Sequence, residues 1–197
     1  MITTQWFWIR WGILGLCWGL FGLVWLIGAI YNSVKAPSVQ KRSGLFSTWI
    51  IGIVVVVVVE LFIPHSFWTL LIFDRPWLRV IGTICLLLST AFTLWARLVL
   101  GKMWSSSAVA KTGHQLRIDG PYRITRHSIY TGMLGMLFGT MLMSGFGLYS
   151  FIFLLGIVIF EVKLHQEERL MTETFGEQYV QYKRRVPQLI PGLKWIQ

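Results

Sequence analysis

Charged side chains are scarce in this sequence, and acidic ones are the scarcest. Asp, Glu, Lys and Arg make up 13% of the 197 residues, and only eight of these are Asp or Glu. Soluble domains carry about twice that charged fraction, so the deficit argues against a water-soluble fold. Hydrophobic residues reach 55%, and the mean hydropathy is +0.62. The composition therefore predicts an all-α integral membrane protein of a single domain.

Cysteine is nearly absent, which excludes a disulfide framework. Cys17 and Cys85 both fall in apolar segments and lack the spacing of a metal site. We interpret both as small buried hydrophobes and expect no metal. The first apolar run is too long for a signal-peptide core and lacks a small-residue cleavage site after it. We expect that run to be a membrane span.

Five apolar segments approach the roughly 20 residues that a spanning helix needs. They cover about residues 8–31, 46–63, 78–100, 129–145 and 146–164. Only Ser-Gly-Phe-Gly joins the last two, which predicts a tight helical hairpin. We expect one membrane domain over residues 1–197, with three spans in 1–100 and the functional core in 101–197.

The positive charges indicate an orientation in the bilayer. The chain has 18 Lys and Arg and a formal net charge of +10. With the N-terminus outside, most of these cations face the cytosol, and Arg10, Arg75 and Arg79 remain outside. This asymmetry predicts a cytosolic C-terminus. Because the cations lie between apolar spans rather than along a polar face, a nucleic-acid partner is not expected.

Small residues mark two helix faces. They are Gly12, Gly15, Gly19 and Gly22 in the first span, and Gly135 and Gly139 in the fourth. Glycine at this spacing lets helices approach closely. The pattern fits an internal helix contact and a homo-oligomer equally well.

Two polar segments, residues 101–128 and 165–197, are both predicted to face the cytosol. The first is predicted to be a loop, with Gly113, Gly120 and Pro121 as turn residues. The second is predicted to begin as a helix and to stop at Pro187. One face of that helix, interpreted as core packing, carries Phe175, Tyr179, Tyr182 and Val186.

Polar side chains collect where these segments meet the last two spans. One cluster precedes the fourth span and contains His114, Tyr122, Arg126, His127 and Tyr130. The other ends the fifth span and contains Glu161, Lys163, His165, Glu167 and Glu168. A hairpin places these two helix ends side by side, so we expect the clusters to be neighbours. Ionisable groups at such a depth are costly and tend to be functional, although the spacing alone also fits a solvated helix end with weak ion pairs.

The joint pattern of the two segments is specific. It reads "GHQLRIDGPYRITRHSIYTG" and, about forty residues later, "EERLMTETFGEQYVQYKRRVPQLIP". This pattern resembles the isoprenylcysteine carboxyl methyltransferase family, with related signatures in membrane phospholipid methyltransferases and, more loosely, in sterol reductases. The resemblance covers roughly residues 101–192.

The resemblance implies S-adenosylmethionine bound on the cytosolic side, below a tunnel for a lipophilic small-molecule or lipid-like acceptor. It assigns to the cofactor His114, Gln115, Leu116, Arg117, Tyr122, His127, Ser128, Ile129, Tyr130 and Glu167. The candidates for catalysis are Lys163, which would face the acceptor, together with Arg126 and Glu168. Ser128 stands where the family has proline, and we expect the serine to cap the fourth span.

The side chains suit this chemistry. Tyr122 and Tyr130 offer aromatic contact to adenine, and Glu167 can accept from ribose hydroxyls or an ammonium. Arg117 or Arg126 can meet the cofactor's carboxylate.

The expected reaction is carboxyl O-methylation. A carboxylate acceptor is already ionised near neutral pH and needs no base. An amine, phenol or thiol acceptor would use Glu168 or His165 as base. Two alternatives stay open: an NADPH-dependent membrane reductase of the sterol-reductase type, and a non-enzymatic membrane scaffold.

Overall fold

The protein is helical, with one small sheet, in a computed structural model that describes residues 4–35, 39–42, 47–101, 104, 109–111 and 116–192. The helices are α1 (Thr4–Lys35), α2 (Ser47–Phe62), α3 (His65–Leu70), α4 (Pro76–Leu100), α5 (Ser128–Ser144), α6 (Leu148–Phe175) and α7 (Glu177–Arg185). Strands β1 (Val39–Arg42) and β2 (Val109–Lys111) pair antiparallel. A short 3-10 helix at Gly120–Arg123 lies ahead of α5.

Three helices of the described chain are long and apolar enough to cross a bilayer. They comprise Gln5–Val34, Pro76–Leu100 and Leu148–Phe175. Shorter apolar helices at Ile50–Phe62 and Ser128–Ser144 coincide with the second and fourth predicted spans. The most apolar window of each long helix is at most 28% buried inside the protein, which leaves its outer surface for lipid. These helices confirm a multi-pass integral membrane protein.

Helices α4 and α5 approach so closely that their contact requires glycine. A Cβ on Gly139 would lie 2.6 Å from the backbone nitrogen of Leu86, and one on Gly82 would lie 2.5 Å from that of Met143. Both distances are far inside van der Waals contact, so only a hydrogen atom fits there. The predicted close approach at the glycine face of the fourth span is confirmed.

The glycines of α1 lie elsewhere. A Cβ added to Gly12, Gly15, Gly19 or Gly22 would meet nothing within 4 Å. Helix α1 packs instead through Leu14 and Cys17, which join Leu86 in a buried cluster. Among the described residues this face therefore makes no internal contact, and the homo-oligomer stays a prediction. Cys17 is buried as expected, Cys85 is half-buried, and both are free thiols.

A sharp reversal joins α5 to α6. Gly145, Phe146 and Gly147 all have positive φ, at 82°, 69° and 55°, a region that glycine enters without steric cost. The carbonyl of Gly145 also accepts a hydrogen bond from the Phe73 amide at 3.0 Å. The predicted hairpin is confirmed, and it places the first turn of α5 beside the second half of α6.

Helix α6 is longer than its predicted span. It runs 28 residues to Phe175, where Gly176, with φ of 54°, ends it and begins α7. The prediction of one helix running on to Pro187 is therefore wrong, because a glycine with positive φ interrupts it. The residues predicted to share one helix face therefore belong to two helices. Phe175 is the last residue of α6, and Tyr179 and Tyr182 are buried residues of α7.

Residues 101–128 hold more structure than the predicted loop. Strand β2 pairs with β1, which follows α1, so the sheet ties together the segments that leave α1 and α4. Both strands are too short to show the alternation by which a strand is recognised in a sequence. The short helix α3 was likewise not predicted, and Gly113 lies outside the described residues.

The contact between α4 and α5 makes a testable prediction. We expect Gly139→Ala to lower the free energy of unfolding by about 1–3 kcal/mol, because the added methyl group overpacks a backbone-to-backbone contact. The matched control is Gly19→Ala in α1, where a Cβ meets open space and alanine improves helix propensity. Thermal unfolding in detergent measures both variants. Equal midpoints for the two would contradict the packing argument.

Candidate functional site

Glu168 of α6 is a buried carboxylate that four donors surround. Its Oε1 accepts from Arg126 Nε at 3.0 Å and from the Tyr179 hydroxyl at 2.9 Å, and it lies 2.8 Å from His127 Nε2. Its Oε2 pairs with Lys183 Nζ at 3.0 Å. A buried charge is tolerated when it is paired and fully hydrogen-bonded, as this one is. Glu168 thus joins α6 to α7 and to the segment before α5.

Arg126 extends this cluster to the chain that follows α7. Its Nη1 donates to the carbonyl oxygens of Lys183 at 3.1 Å and Val186 at 2.5 Å. Its backbone amide donates to the carbonyl of Pro187 at 2.9 Å, and the His127 amide donates to that of Gln188 at 3.1 Å. The Nε and Nη1 atoms of this guanidinium therefore both make hydrogen bonds that hold the fold together.

His127 lies between the two neighbouring carboxylates of α6. Its Nε2 faces Glu168, and its Nδ1 lies 3.6 Å from Glu167 Oε2. Burial lowers the pKa of His127, but the hydrogen bonds and charges of Glu167 and Glu168 outweigh burial, and the pKa is raised above its ordinary value. The imidazolium form is favoured, with both ring nitrogens acting as donors.

Glu167 is the more open of the two carboxylates. Its side chain is 23% exposed, and its Oε1 accepts from the Tyr130 hydroxyl at 2.5 Å. The Tyr130 ring packs against that of Phe160, with centroids 5.2 Å apart. The tyrosine and the histidine hold this carboxylate in place while part of it stays accessible to a ligand.

Two further tyrosines support the segment that precedes α5. The Tyr182 hydroxyl donates to the backbone carbonyl of Tyr122 at 2.5 Å, and the Tyr122 hydroxyl donates to that of Ala96 at 3.3 Å. Burial raises the pKa of Tyr122 and of Tyr182 well above the usual range. Both phenols therefore stay neutral donors, and they fix the 3-10 helix between α4 and α7.

The start of α5 differs from its prediction. The helix does begin at Ser128, but His127 is the N-cap residue and no side chain caps the helix. The Ser128 hydroxyl donates backwards to the Thr125 carbonyl at 2.7 Å, so the prediction that Ser128 caps this helix is wrong. Ser128 is the first helical residue, a position where proline is also tolerated because its missing N–H would be unpaired there anyway.

The remaining predicted residues divide into three groups. Lys163 is buried in α6, one turn before Glu167. Leu116, Arg117 and Ile129 are half-buried, and Arg117 Nε is buried without a hydrogen-bond partner among the residues that the structure describes. His114 and Gln115 lie outside the described residues.

Glu161 and His165 lie at the periphery. They form the expected i, i+4 pair, at 3.5 Å, with side chains 52% and 74% exposed. An exposed pair of this kind contributes little to stability.

The predicted meeting of the two polar clusters is confirmed by the contacts of Arg126, His127 and Tyr130 with Glu167 and Glu168. Sequence reasoning missed Tyr179 and Lys183 as partners of Glu168. Tyr179 had a signal, because a tyrosine on an otherwise core-facing stripe needs a hydrogen-bond partner when it is buried.

Known proteins resemble this chain in sequence. The profile of the phospholipid methyltransferase family matches residues 77–178, from the start of α4 into α7. A protein-S-isoprenylcysteine O-methyltransferase of Xenopus laevis is 29% identical over 129 residues, covering 61% of this chain and 43% of that protein. Form B of the same enzyme from Arabidopsis thaliana is 35% identical over 81 residues, 40% of either chain. The chain spans less than half the length of these curated relatives. The matches confirm the predicted resemblance.

A solved structure shares the fold. It is a eukaryotic intramembrane Ras methyltransferase, an isoprenylcysteine carboxyl methyltransferase, superposed with a TM-score of 0.55. The two chains are 22% identical, and the match covers 76% of this chain and 53% of the other.

The buried cluster makes a prediction about stability. We expect Glu168→Gln to lower the free energy of unfolding by about 3–5 kcal/mol, because Arg126, Lys183 and His127 would lose a shared buried counter-charge. The control is Glu173→Gln on the same helix, whose ion pair with Arg169 is exposed. Urea or thermal unfolding in detergent gives the comparison. A Glu168→Gln protein as stable as the control would contradict this role.

His127 makes a prediction about pH. Because its folded pKa is raised, its contribution to stability is complete below the unfolded pKa of about 6.5 and is lost as pH rises through the folded value. We expect the stability difference between the wild type and His127→Gln to shrink from about pH 6 to about pH 9. Thermal midpoints over that range measure it. A difference that grows with pH would have the opposite sign and contradict the assignment.

Proposed function

The chain belongs to the phospholipid methyltransferase family, and from that premise we propose that it is an integral-membrane methyltransferase that uses S-adenosylmethionine. The observation that carries this proposal is the Glu167 carboxylate. It is held by Tyr130 and His127 and still partly exposed, at the edge of a buried ion cluster. A structural carboxylate would be saturated, as Glu168 is. Glu167 retains acceptor capacity for a ligand.

The residues present fit this cofactor. Its ribose hydroxyls and ammonium need acceptors, which Glu167 supplies, and its adenine needs aromatic surface, which Tyr130 supplies. Its carboxylate needs a cation. Arg117 Nε is a buried donor without a hydrogen-bond partner in the described structure, so this chain has an unused donor of the right chemistry. His114 and Gln115, which the resemblance also assigns to the cofactor, remain part of the proposal.

The cofactor, when bound, supplies an electrophilic methyl group on a sulfonium whose carbon–sulfur bond breaks with the electron pair left on sulfur. For a carboxylate acceptor no proton moves, because the nucleophile is already ionised at neutral pH. The chain's own residues therefore need only bind and orient, and positioning supplies much of the acceleration in such a reaction.

We assign Glu168 and Arg126 to positioning rather than to proton transfer. Glu168 already accepts from Arg126, His127 and Tyr179, and its negative charge is stabilised by every one of these partners. A carboxylate held in this way is a poor base. Lys163, buried one turn before Glu167, adds positive charge on the side of the site that we propose for the acceptor.

The proposed acceptor carries an isoprenyl chain beside a carboxylate. The relatives named above act on protein-bound isoprenylcysteine, as their names state. This supports a prenylated carboxyl terminus as the acceptor in place of the free small molecule expected from the sequence. Exposed apolar surface on the long helices suits the hydrocarbon chain.

The topology is part of the same proposal. We place the N-terminus outside, the C-terminus in the cytosol, and α2 and α5 as spans beside the three long helices. The charge asymmetry of the connecting segments supports this orientation. It puts the Glu167 site on the cytosolic side, where S-adenosylmethionine is available.

Cofactor binding is the direct test. We expect calorimetry on the detergent-purified chain to show S-adenosylmethionine and its demethylated product binding, with affinity lowered at least about tenfold in Glu167→Ala. The control is Glu161→Ala, six residues earlier on α6 and exposed. Binding of NADPH in place of the sulfonium would make the chain a reductase. If no cofactor bound, and Glu167→Ala matched the wild type, the scaffold alternative would stand.

A further inference from the structure

Arg97, in the last turn of α4, is a second buried arginine, and some of its N–H donors lack hydrogen-bond partners in the described structure. Only 5% of its surface is exposed, and its Nη1 donates to the Gly101 carbonyl at 3.1 Å. Its Nε and Nη2 are buried with no hydrogen-bond partner in the described structure. Arg126 shows the contrast, since both its Nε and its Nη1 are paired.

A cation with unpaired donors is costly to bury, because the lost hydration is not replaced. No carboxylate of the described residues lies within ion-pair distance of Arg97. Two parallel N–H donors on one guanidinium match the two oxygens of a carboxylate or phosphate. The unpaired donors of Arg97 therefore suit an oxyanion.

The surroundings of Arg97 favour an amphiphile over a free ion. The guanidinium lies over the Trp104 ring at 4.3 Å and over the Trp25 ring at 6.0 Å. Trp25 stacks on Phe21 at 4.1 Å, one turn back along the lipid-facing helix α1. Gly28 of α1 also lies against Arg97, where a Cβ would clash with Nη2. An apolar, aromatic surface thus leads directly to the cation.

A second unpaired atom lies in the same place. The Asn32 side-chain nitrogen donates to the Trp104 carbonyl at 2.9 Å, and its Oδ1 is buried without a hydrogen-bond partner in the described part of the chain. A ligand with an anionic group and a nearby N–H would satisfy Arg97 and Asn32 together. A peptide carboxyl terminus with an amide N–H has this arrangement.

Tyr122 lies near Arg97 and is affected by the charge of Glu167. The Tyr122 hydroxyl bonds to Ala96, the residue before Arg97. The charges of Glu167 and Arg97 shift the pKa of Tyr122 in opposite directions, so the phenol lies within range of both. Tyr122 therefore links the neighbourhood of Arg97 to that of Glu167.

We infer that Arg97 binds the carboxylate of the methyl acceptor, with the acceptor's hydrocarbon chain along the Phe21–Trp25 face of α1. The inference rests on the proposed methyl transfer and names the residue that selects an acidic acceptor. Asn32 Oδ1 accepts the amide N–H beside that carboxylate. Gly28 keeps the guanidinium close to α1, and Trp104 covers it.

The test compares an acid with its uncharged ester. N-acetyl-S-farnesylcysteine carries an isoprenyl chain, an amide and a carboxylate, and its methyl ester differs only in charge. We expect the wild type to bind the acid at least about tenfold more tightly than the ester. In Arg97→Gln the two should bind equally, while the affinity for S-adenosylmethionine stays at the wild-type value. The control is Arg123→Gln, an exposed arginine of the 3-10 helix, which should keep the preference.

A second variant protects the result against misfolding. Arg97→Lys keeps the charge but cannot form two parallel bonds, so we expect a reduced but measurable preference for the acid. Unchanged preference in both Arg97 variants would overturn the inference. So would a preference that is lost in Lys163→Gln and kept in Arg97→Gln, since Lys163 would then hold the carboxylate.

Two further outcomes also overturn it. Loss of S-adenosylmethionine affinity in Arg97→Gln with the acid preference intact would assign Arg97 to the cofactor's carboxylate. Tighter binding of dodecyl phosphate than of the acid, dependent on Arg97, would assign the site to a lipid phosphate.

Transfer of labelled methyl to the acid separates this inference from the proposed function. An Arg97-dependent acid preference without cofactor binding or methylation would overturn the methyltransferase and keep the anion site. Cofactor binding and methylation without any preference for the acid would keep the methyltransferase and overturn the anion site at Arg97.

Discussion

The buried carboxylate of Glu168 is the contact on which the rest of this site depends. It neutralises Arg126 and Lys183 and orients His127, so three separate stretches of chain meet at one pair of oxygen atoms: α6, α7 and the segment before α5. Successive residues of a helix point about 100° apart. Because Glu168 faces into the protein, its neighbour Glu167 is turned toward the more open side. One carboxylate holds the structure, and the adjacent one keeps part of its surface accessible.

The two buried arginines differ in how their donors are paired. Arg126 is paired to a carboxylate and to backbone carbonyls, so its charge is used within the fold. Arg97 is equally hidden but holds unpaired donors against aromatic rings. Burial alone does not separate structural from ligand-binding cations. The state of each donor does, because an unpaired buried charge persists only where something else satisfies it.

The apolar runs predicted the membrane class and the hairpin, because length and hydropathy are local properties of a sequence. The sequence motif also predicted that His127 and Tyr130 would lie near Glu167. The helix through residues 165–175 was predicted from its periodicity, and the structure shows it to be continuous with the fifth span as α6. The break at Gly176 was missed, since a glycine inside a helical pattern is often tolerated. The partners of Glu168 and the unpaired donors of Arg97 depend on contacts between distant segments, which periodicity does not reveal.

The hydrogen bonds from the segment before α5 to the carbonyls of Pro187 and Gln188 bear on the order in which the protein is made. The helices enter the bilayer as they emerge from the ribosome, from the N-terminus onward. Arg126 and His127 are synthesised about sixty residues before the backbone groups that receive them. Until then, their charges lie at the membrane surface and must be met by water or lipid headgroups. Helices α1 to α6 are therefore synthesised before the polar site can form, since the site closes only once residues 187 and 188 have been made.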